Sequence, residues 1–558
     1  MSFTDLCEMM CFRFEMKWCL IVLIFFAIGQ IGLAQTFTSS NLPIIVINTN
    51  GTSVSGEPKI TADMGIIYNG VGVRNNLTDA YNNYNGKIGI EIRGSSSQSF
   101  PKKQYSVELR DDLGNGISSS LLGMPAEEDW VLFAPYNDKA LMRDVLAYKL
   151  GRDLGHYAPR TRFCEVVMNG AYLGIYVLIE KIKRDANRVN IARLNPDEVS
   201  GDDLTGGYII KIDKESGSGN GGWSSSFTPP NRSSNQQIYY QYDYPSAADM
   251  VSEQRNYIKQ FMNNFEATLI GSTFNDPVNG YANYIDVDSF IDFFIMNEVS
   301  KNVDGYRLST YLHKKKNSDG GKLHMGPIWD FNLGFGNANY CTQGNPEGWV
   351  TNFNNVCSQD YWLIPFWWDR LYQDGAYRNK LAARWDYLRS NELETTRIIS
   401  YIDSVANVLN IESQQRNFQR WPVLNMYVWP NYYVGPTFGS EVSWLKSWVV
   451  SRLSWMDVNM PRLITAVESN PVDFSIELFP NPFCDQVQIN YTLTNADAIS
   501  LEIFDLLGRS VKSIHESKEE PGTYHTQVPT QNLPNGTYYY KASVGNGKLI
   551  SGKLIKCN

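Results

Sequence analysis

Three stretches of the chain carry polar residues at spacings suited to holding a phosphate and a cation. The first is Arg93-Gly-Ser-Ser-Ser-Gln-Ser-Phe-Pro-Lys-Lys-Gln-Tyr105. Gly94, Ser95, Ser96 and Ser97 form a small-residue turn between two alternating runs, and such a turn lets backbone N–H groups approach a phosphate that bulky side chains would keep away. Lys103 begins the second run, where its ammonium can reach back to that phosphate; an ordinary polar hairpin with an exposed lysine fits the same residues. The second stretch, Asn302-Val-Asp-Gly-Tyr-Arg-Leu-Ser-Thr-Tyr-Leu312, puts Asp304 between a helix end and a short strand. A loop carboxylate there is suited to accept a proton from an incoming hydroxyl, or else to cap the turn at Gly305. In the third, Gly326-Pro-Ile-Trp-Asp-Phe-Asn-Leu-Gly-Phe-Gly336, Asp330 ends an apolar strand. It is placed to ligate Mg²⁺, with Asn332 offering a second oxygen on the same side of an extended chain; a plain Asx turn is the local alternative. Each signal is weak alone, and their order along the chain favours a joint reading.

Elements that would position these residues follow from periodicity. Ile88, Ile90 and Ile92 alternate with Gly89, Glu91 and Arg93, and Tyr105, Val107 and Leu109 alternate with Ser106, Glu108 and Arg110, which predicts two half-buried strands around the Gly/Ser turn. Strand, small-residue turn, strand with a lysine is the layout with which a protein kinase holds nucleotide phosphates. Asn169-Gly170 tolerates positive φ and predicts a two-residue hairpin between strands over 165–168 and 171–180. Helical spacing marks 140–154, 250–269 and 286–299, whereas 214–237, dominated by Gly, Ser, Asn and Pro, reads as a surface insertion. After 468–473 come short alternating runs over 486–493, 500–505, 536–544 and 549–556, separated by turn residues, the pattern of a small all-β sandwich. The fold class is therefore α+β, followed by that sandwich.

Composition removes several classes of function. The 558 residues suffice for two or three domains with full cores. Forty-nine Lys+Arg against 58 Asp+Glu, a net charge of −9, argues against nucleic acid, because little would release counterions from a polyanion. Five His and no Cys-x-x-Cys pair leave no zinc finger or ribbon. No Gly-x-Ser-x-Gly elbow occurs. Every Gly-Lys is followed by Ile or Leu, so no Walker A hydroxyl stands ready for Mg²⁺. Two carboxylates for glycoside hydrolysis exist in any chain of this size and support that class only faintly.

Lys17 precedes an apolar run over 18–28, and Gly32-Leu33-Ala34-Gln35 supplies small residues three and one positions before a cut after Ala34. This predicts a signal peptide over 1–34, with Met16 as an alternative start, and hence an oxidising destination. Of the cysteines beyond it, Cys341 and Cys357 bracket an Asn- and Gly-rich loop they could close, although the pairing stays open at this level.

The quoted motifs, Ile92-Arg-Gly-Ser-Ser-Ser with Phe100-Pro-Lys-Lys-Gln-Tyr105, Gly174-Ile-Tyr-Val-Leu-Ile-Glu180, Asn302-Val-Asp304 and Trp329-Asp-Phe-Asn-Leu-Gly-Phe-Gly336, together resemble the CotH kinases, a family of atypical two-lobed protein-kinase fold. The resemblance covers roughly 42–463 and assigns 35–467 to that domain. It implies ATP and Mg²⁺ or Mn²⁺ as cofactors and an exported protein as acceptor, with Lys103 on the phosphates, Asp304 as catalytic carboxylate and Asp330 as metal ligand. Glu180 is a matching position that would pair with the lysine or line the adenine pocket, and a strand-end glutamate in solvent fits the same residue. The sequence departs from the family twice. Where members often carry Asn as second metal ligand the chain has Ser309, and the second acid of the Trp-Asp-x-Asp pattern is Asn332. Both departures soften the metal site, so a catalytically weak or inactive surface binding protein of the same fold is the alternative. Leu478-Phe-Pro-Asn-Pro-Phe483, Ile503-Phe-Asp-Leu-Leu-Gly-Arg509, Leu533-Pro-Asn-Gly-Thr-Tyr538 and Gly552-Lys-Leu-Ile-Lys556 resemble the type A sorting domain of the type IX secretion system. That resemblance covers 472–558 and implies a Bacteroidetes-type host, export through the periplasm to the surface or medium, and the secretion machinery as partner.

Overall fold

The computed structural model describes residues 37–215, 221–233, 235–460, 474–493, 495–505, 509–544 and 548–557. The signal peptide expected over 1–34 and the linker over 468–473 lie outside the described residues. The chain divides into two compact units, Met1–Arg462 and Leu463–Asn558.

In the first unit, strands β1 (Ser39–Ser40), β2 (Ile44–Asn48), β3 (Ile60–Ile67), β4 (Asn75–Asn76), β5 (Tyr84–Arg93), β6 (Gln104–Arg110), β7 (Asp129–Phe133), β8 (Thr161–Met168) and β9 (Ala171–Glu180) come first. All but the short β1–β4 pair close into a barrel in the order β2-β3-β5-β6-β7-β9-β8. The alternating isoleucines set its register: Ile88 faces Leu109, Ile90 faces Val107 and Ile92 faces Tyr105. Asn169 and Gly170, at φ 50° and 78°, make the tight turn that pairs Met168 with Ala171. Inside the barrel Ile45, Ile47, Ile88, Ile90, Val107, Leu109 and Trp130 form one core. The opposite faces of β7 and β9, with Val131, Ile175, Val177 and Ile179, join a second and larger core. There they meet helix α1 (Arg143–Asp153), whose Val145, Leu146 and Tyr148 are buried.

That second core belongs to an antiparallel sheet, β11 (Gly222–Ser224), β12 (Tyr239–Tyr244), β10 (Tyr208–Ile212), β13 (Thr310–Lys314) and β14 (Leu323–Met325), neighbours in that order. Around it stand α2 (Ser252–Ile270), α3 (Val287–Ser300), the single turn α4 (Phe353–Val356), α5 (Trp367–Leu371), α6 (Gly375–Arg389), α7 (Thr395–Asn410), α8 (Ser413–Arg420) and α9 (Phe438–Asn459). Part of the segment read as a surface insertion is packed. Trp223 is buried against the rings of Tyr240 and Tyr242, and the Ser225 hydroxyl donates to Glu266 at 2.8 Å. Aromatic burial outweighs the loop-forming composition around it.

Asp286 caps α3 by accepting the Ser289 N–H at 2.8 Å, and the helix ends where Lys301 turns left-handed at φ 45°. Near that end Glu298 and Arg452 form an ion pair at 3.0 Å with neither side chain exposed. Glu298 also accepts from the Val350 and Thr351 N–H groups and the Tyr306 hydroxyl. Arg452 donates to the carbonyls of Glu298, Pro346 and Gly348. The network ties α9 to α3 and to the loop that the Cys341–Cys357 disulfide closes, with Cα atoms 5.8 Å apart. Substituting Ala for Arg452 strands the carboxylate in the core, so a loss of about 3–5 kcal/mol is expected in urea unfolding of the full chain.

The second unit is a sandwich of β15 (Phe474–Phe479), β16 (Gln486–Leu493) and β19 (Gly522–Pro529) against β18 (Ser510–Glu519), β17 (Asp497–Phe504), β20 (Gly536–Val544) and β21 (Lys548–Lys556). Val487, Ile489, Tyr491 and Leu493 from one sheet and Ile499, Leu501, Ile503 and Ala542 from the other share its core.

Candidate functional site

Two loops bring Asp304 and Asp330 together. After α3, Asp304 opens a turn in which its carbonyl accepts the Leu308 N–H at 3.0 Å. Gly305 is required there, because a Cβ would come within 2.4 Å of the Asn297 amide oxygen. Asp330 follows β14 and takes a left-handed conformation at φ 64°, a strained state for a residue with a side chain, of the kind that concentrates at functional sites. Helix α1 holds it: the Tyr148 hydroxyl accepts the Asp330 N–H at 3.1 Å, and the Asp144 carboxylate accepts the Phe331 N–H at 2.6 Å. Asn302 spans both loops, its oxygen accepting the Asp304 N–H at 3.3 Å and its amide donating to the Asp330 carbonyl at 3.4 Å.

The electrostatics of the pair follow from burial and crowding. Burial first, then the charges of Asp304 and Asp213, push the Asp330 carboxyl up to about 6, against the opposing pull of Arg93 and Lys214. The Asp304 carboxyl is raised as well, by burial above all, with Arg307 and Lys214 opposing. Asp144, deeply buried beside Asp330, is raised strongly for the same reasons. Arg307 fixes Asp304 by an ion pair at 3.0 Å, yet the Asp304 side chain keeps 19% exposure, enough for a small group to reach it. The Arg93 guanidinium lies 5.4 Å from the Trp329 ring centre, next to Asp330.

The other residues expected at the site fall as follows. Gly94, at φ 104°, turns the chain where a Cβ would strike the Ser97 hydroxyl; Ser95 and Ser96 are exposed and Ser97 half-buried. The Lys103 ammonium does not bond to the carboxylates among the described residues; it donates to the Gln98 carbonyl at 2.6 Å, within the same turn. The buried lysine is its neighbour, Lys102, which donates to the Ile175 carbonyl and to Asn417 of α8. Burial brings its ammonium down to about 7. Glu180 pairs with neither lysine nor solvent. It is fully buried and accepts from the backbone N–H and side chain of Arg160, each at 2.8 Å, because a carboxylate at that depth needs its own cation. Asn332 donates to Asn137 at 3.3 Å, and Ser309 sits half-buried in a left-handed conformation at φ 47°. The cations that the structure brings to the acidic pair are thus Arg93, Arg307 and Lys214.

Residues 90–456 match the family model for CotH kinase protein. The chain belongs to the CotH kinase family. Residues 477–557 match a secretion system C-terminal sorting domain, so the CotH-like body carries a type IX export address, and the chain is secreted or surface-displayed. Comparison with curated protein sequences gives no match. Among the described residues, no helix is long and apolar enough to cross a membrane. The sequence motifs that signalled CotH membership missed Asp213, at the end of β10, and the α1 residues Asp144 and Tyr148. A signal for Asp213 existed in the strand-ending acid after Tyr208-Ile-Ile-Lys-Ile212; Tyr148 follows the apolar helical spacing over 140–154, and Asp144 is an acid in that helix's first turn, where acids are common.

Proposed function

We propose that this CotH-family protein is an exported kinase that transfers the γ-phosphoryl group of ATP to Ser/Thr hydroxyls of other exported proteins. The observation that supports this most is the convergence of Asp304 and Asp330, from the two loops that flank the β13–β14 hairpin, with the charges of Arg93 and Lys214 acting on them. Such a site works mostly by positioning and by neutralising charge. Hard carboxylate oxygens suit Mg²⁺ or Mn²⁺, and the crowding of Asp330 by Asp304 and Asp213 is a surplus of negative charge that a divalent cation would relieve. Asp330 would hold it, with Asn332, Ser309 and Asp213 as further oxygens; when bound, the cation screens the phosphate oxygens. Asp304 accepts the acceptor hydroxyl's proton, and Arg93 and Lys214 face the incoming phosphates. In this reading the barrel is the first lobe of a kinase-like pair, and the sheet with its helices is the second.

A specific observation favours the alternative, a kinase-fold binding protein without turnover. Lys103 rests on its own turn and Glu180 on Arg160, whereas protein kinases need a lysine–glutamate ion pair in place. Calorimetry of the full chain with ATP and Mg²⁺ or Mn²⁺ tests the kinase reading, and labelled phosphate incorporation separates turnover from binding alone. Saturable, metal-dependent heat is expected, and no nucleotide binding in either metal would overturn the kinase reading.

A further inference from the structure

Cys484, between β15 and β16, and Cys557, just after β21, meet in space, with sulfurs 3.1 Å apart across 73 positions of sequence. A backbone ladder produces the meeting. Phe483, fully buried, donates its N–H to the Ile555 carbonyl and accepts the Cys557 N–H, both at 2.8 Å. Asn481 brackets the same strand, its amide donating to the Lys553 carbonyl at 2.8 Å and its oxygen accepting the Ile555 N–H at 2.9 Å. The Lys556 ammonium donates to the Cys484 carbonyl. Neighbouring positions of a paired segment are thereby held with both thiols on one side, and Cys484 is exposed, open to a reagent. Cys164 makes the contrast, since it is buried inside the barrel. Elsewhere in the chain Cys341 and Cys357 are already joined.

We infer that Cys484 and Cys557 are a second disulfide site, closed by thiol–disulfide exchange once the chain reaches an oxidising compartment. One thiolate of the pair attacks a sulfur of an oxidant disulfide and expels a thiolate. The other thiolate then attacks the mixed disulfide and expels the second. The two cysteines lose two protons and two electrons, and the oxidant disulfide becomes two thiols. This bond locks the end of β21 covalently onto the segment that leads into β16.

The test incubates the purified full chain with glutathione disulfide, alkylates the remaining thiols under denaturing conditions, and maps the peptides before and after reduction. The expected result is one species linking the Cys484 and Cys557 peptides that separates on reduction. Alkylation of both cysteines, a glutathione on each, or linkage to a second copy would overturn the proposal. Urea unfolding gives an independent readout. The oxidised chain should unfold its sandwich at higher urea than the C484S chain, because the bond closes a loop across 73 positions; equal unfolding of the two would also refute it.

Discussion

Exchanging Asp304 for asparagine is expected to lower phosphate transfer to a protein acceptor by about 10²–10⁴-fold, the range in which a positioned general base contributes, with the fold unchanged. The survival of the fold is derivable from the contacts. Arg307, the cation that would lose its partner, still donates to Asp360 at 3.2 Å and to the carbonyls of Trp362 and Val303 at 3.1 and 2.8 Å, so no buried charge is left unpaired. The asparagine side chain keeps the shape of the carboxylate and loses only its ability to take a proton. Because burial raises the Asp304 carboxyl, the native group is a better proton acceptor than a solvated aspartate would be, which enlarges the expected loss. Labelled phosphate incorporation by the purified chain measures the rate, and far-ultraviolet circular dichroism with urea unfolding checks the fold. Unchanged incorporation by a folded D304N chain would remove Asp304 from the chemistry.

How far the sequence discloses this site depends on which contacts are local. The β5–β6 register and the Asn169-Gly170 turn were legible because each is written in residues a few positions apart: alternation sets the face, and positive φ sets the turn. In the second unit β16 and β20 match the alternating runs end to end, whereas β18 and β19, Ser-Val-Lys-Ser-Ile-His-Glu-Ser-Lys-Glu and Gly-Thr-Tyr-His-Thr-Gln-Val-Pro, carry too few apolar residues to show the period. At the site, motif order pointed to Asp304 and Asp330, but it could not say which cation faces them. A chain that enters the turn at an arginine and leaves it with two lysines offers three ammonium or guanidinium groups within eleven residues of sequence. Only the barrel's curvature decides that Lys102 turns inward, Lys103 folds back on Gln98 and Arg93 reaches Trp329 beside Asp330. Glu180 shows the same limit. Its strand, its burial and the hairpin that carries Arg160 follow from local patterns, but the bulge between Val166 and Val167 shifts the register by one residue and so sets Arg160 opposite Glu180.

Asp330 is where function and stability should pull in opposite directions. Its carboxyl titrates near 6 in the folded chain, above the value of about 3.9 for an unperturbed aspartate, so the folded state holds the proton more tightly than the unfolded one. The sign follows directly. Without a metal, the contribution of this group to stability is fully present below about pH 4, falls as pH rises, and is lost once pH passes the folded value near 6. In the metal-free D330N chain that slope vanishes, and at pH 7 the variant should unfold at higher urea than the native chain, because no charge then has to sit beside Asp304 and Asp213. Metal binding should move the other way. Cation and proton compete for the same oxygens, so Mn²⁺ affinity of the native chain is expected to drop about tenfold per pH unit below the titration. D330N should lose more than the roughly 10–100-fold that removal of an outer-shell partner costs. Paramagnetic titration of Mn²⁺ from pH 5 to 8, paired with metal-free urea melts over the same range, reads both effects. A variant that binds Mn²⁺ as tightly as the native chain would take the cation away from Asp330. A native melt with the same pH slope as D330N would show that the left-handed carboxylate is not the strained charge that the left-handed loop and its acidic neighbours make it.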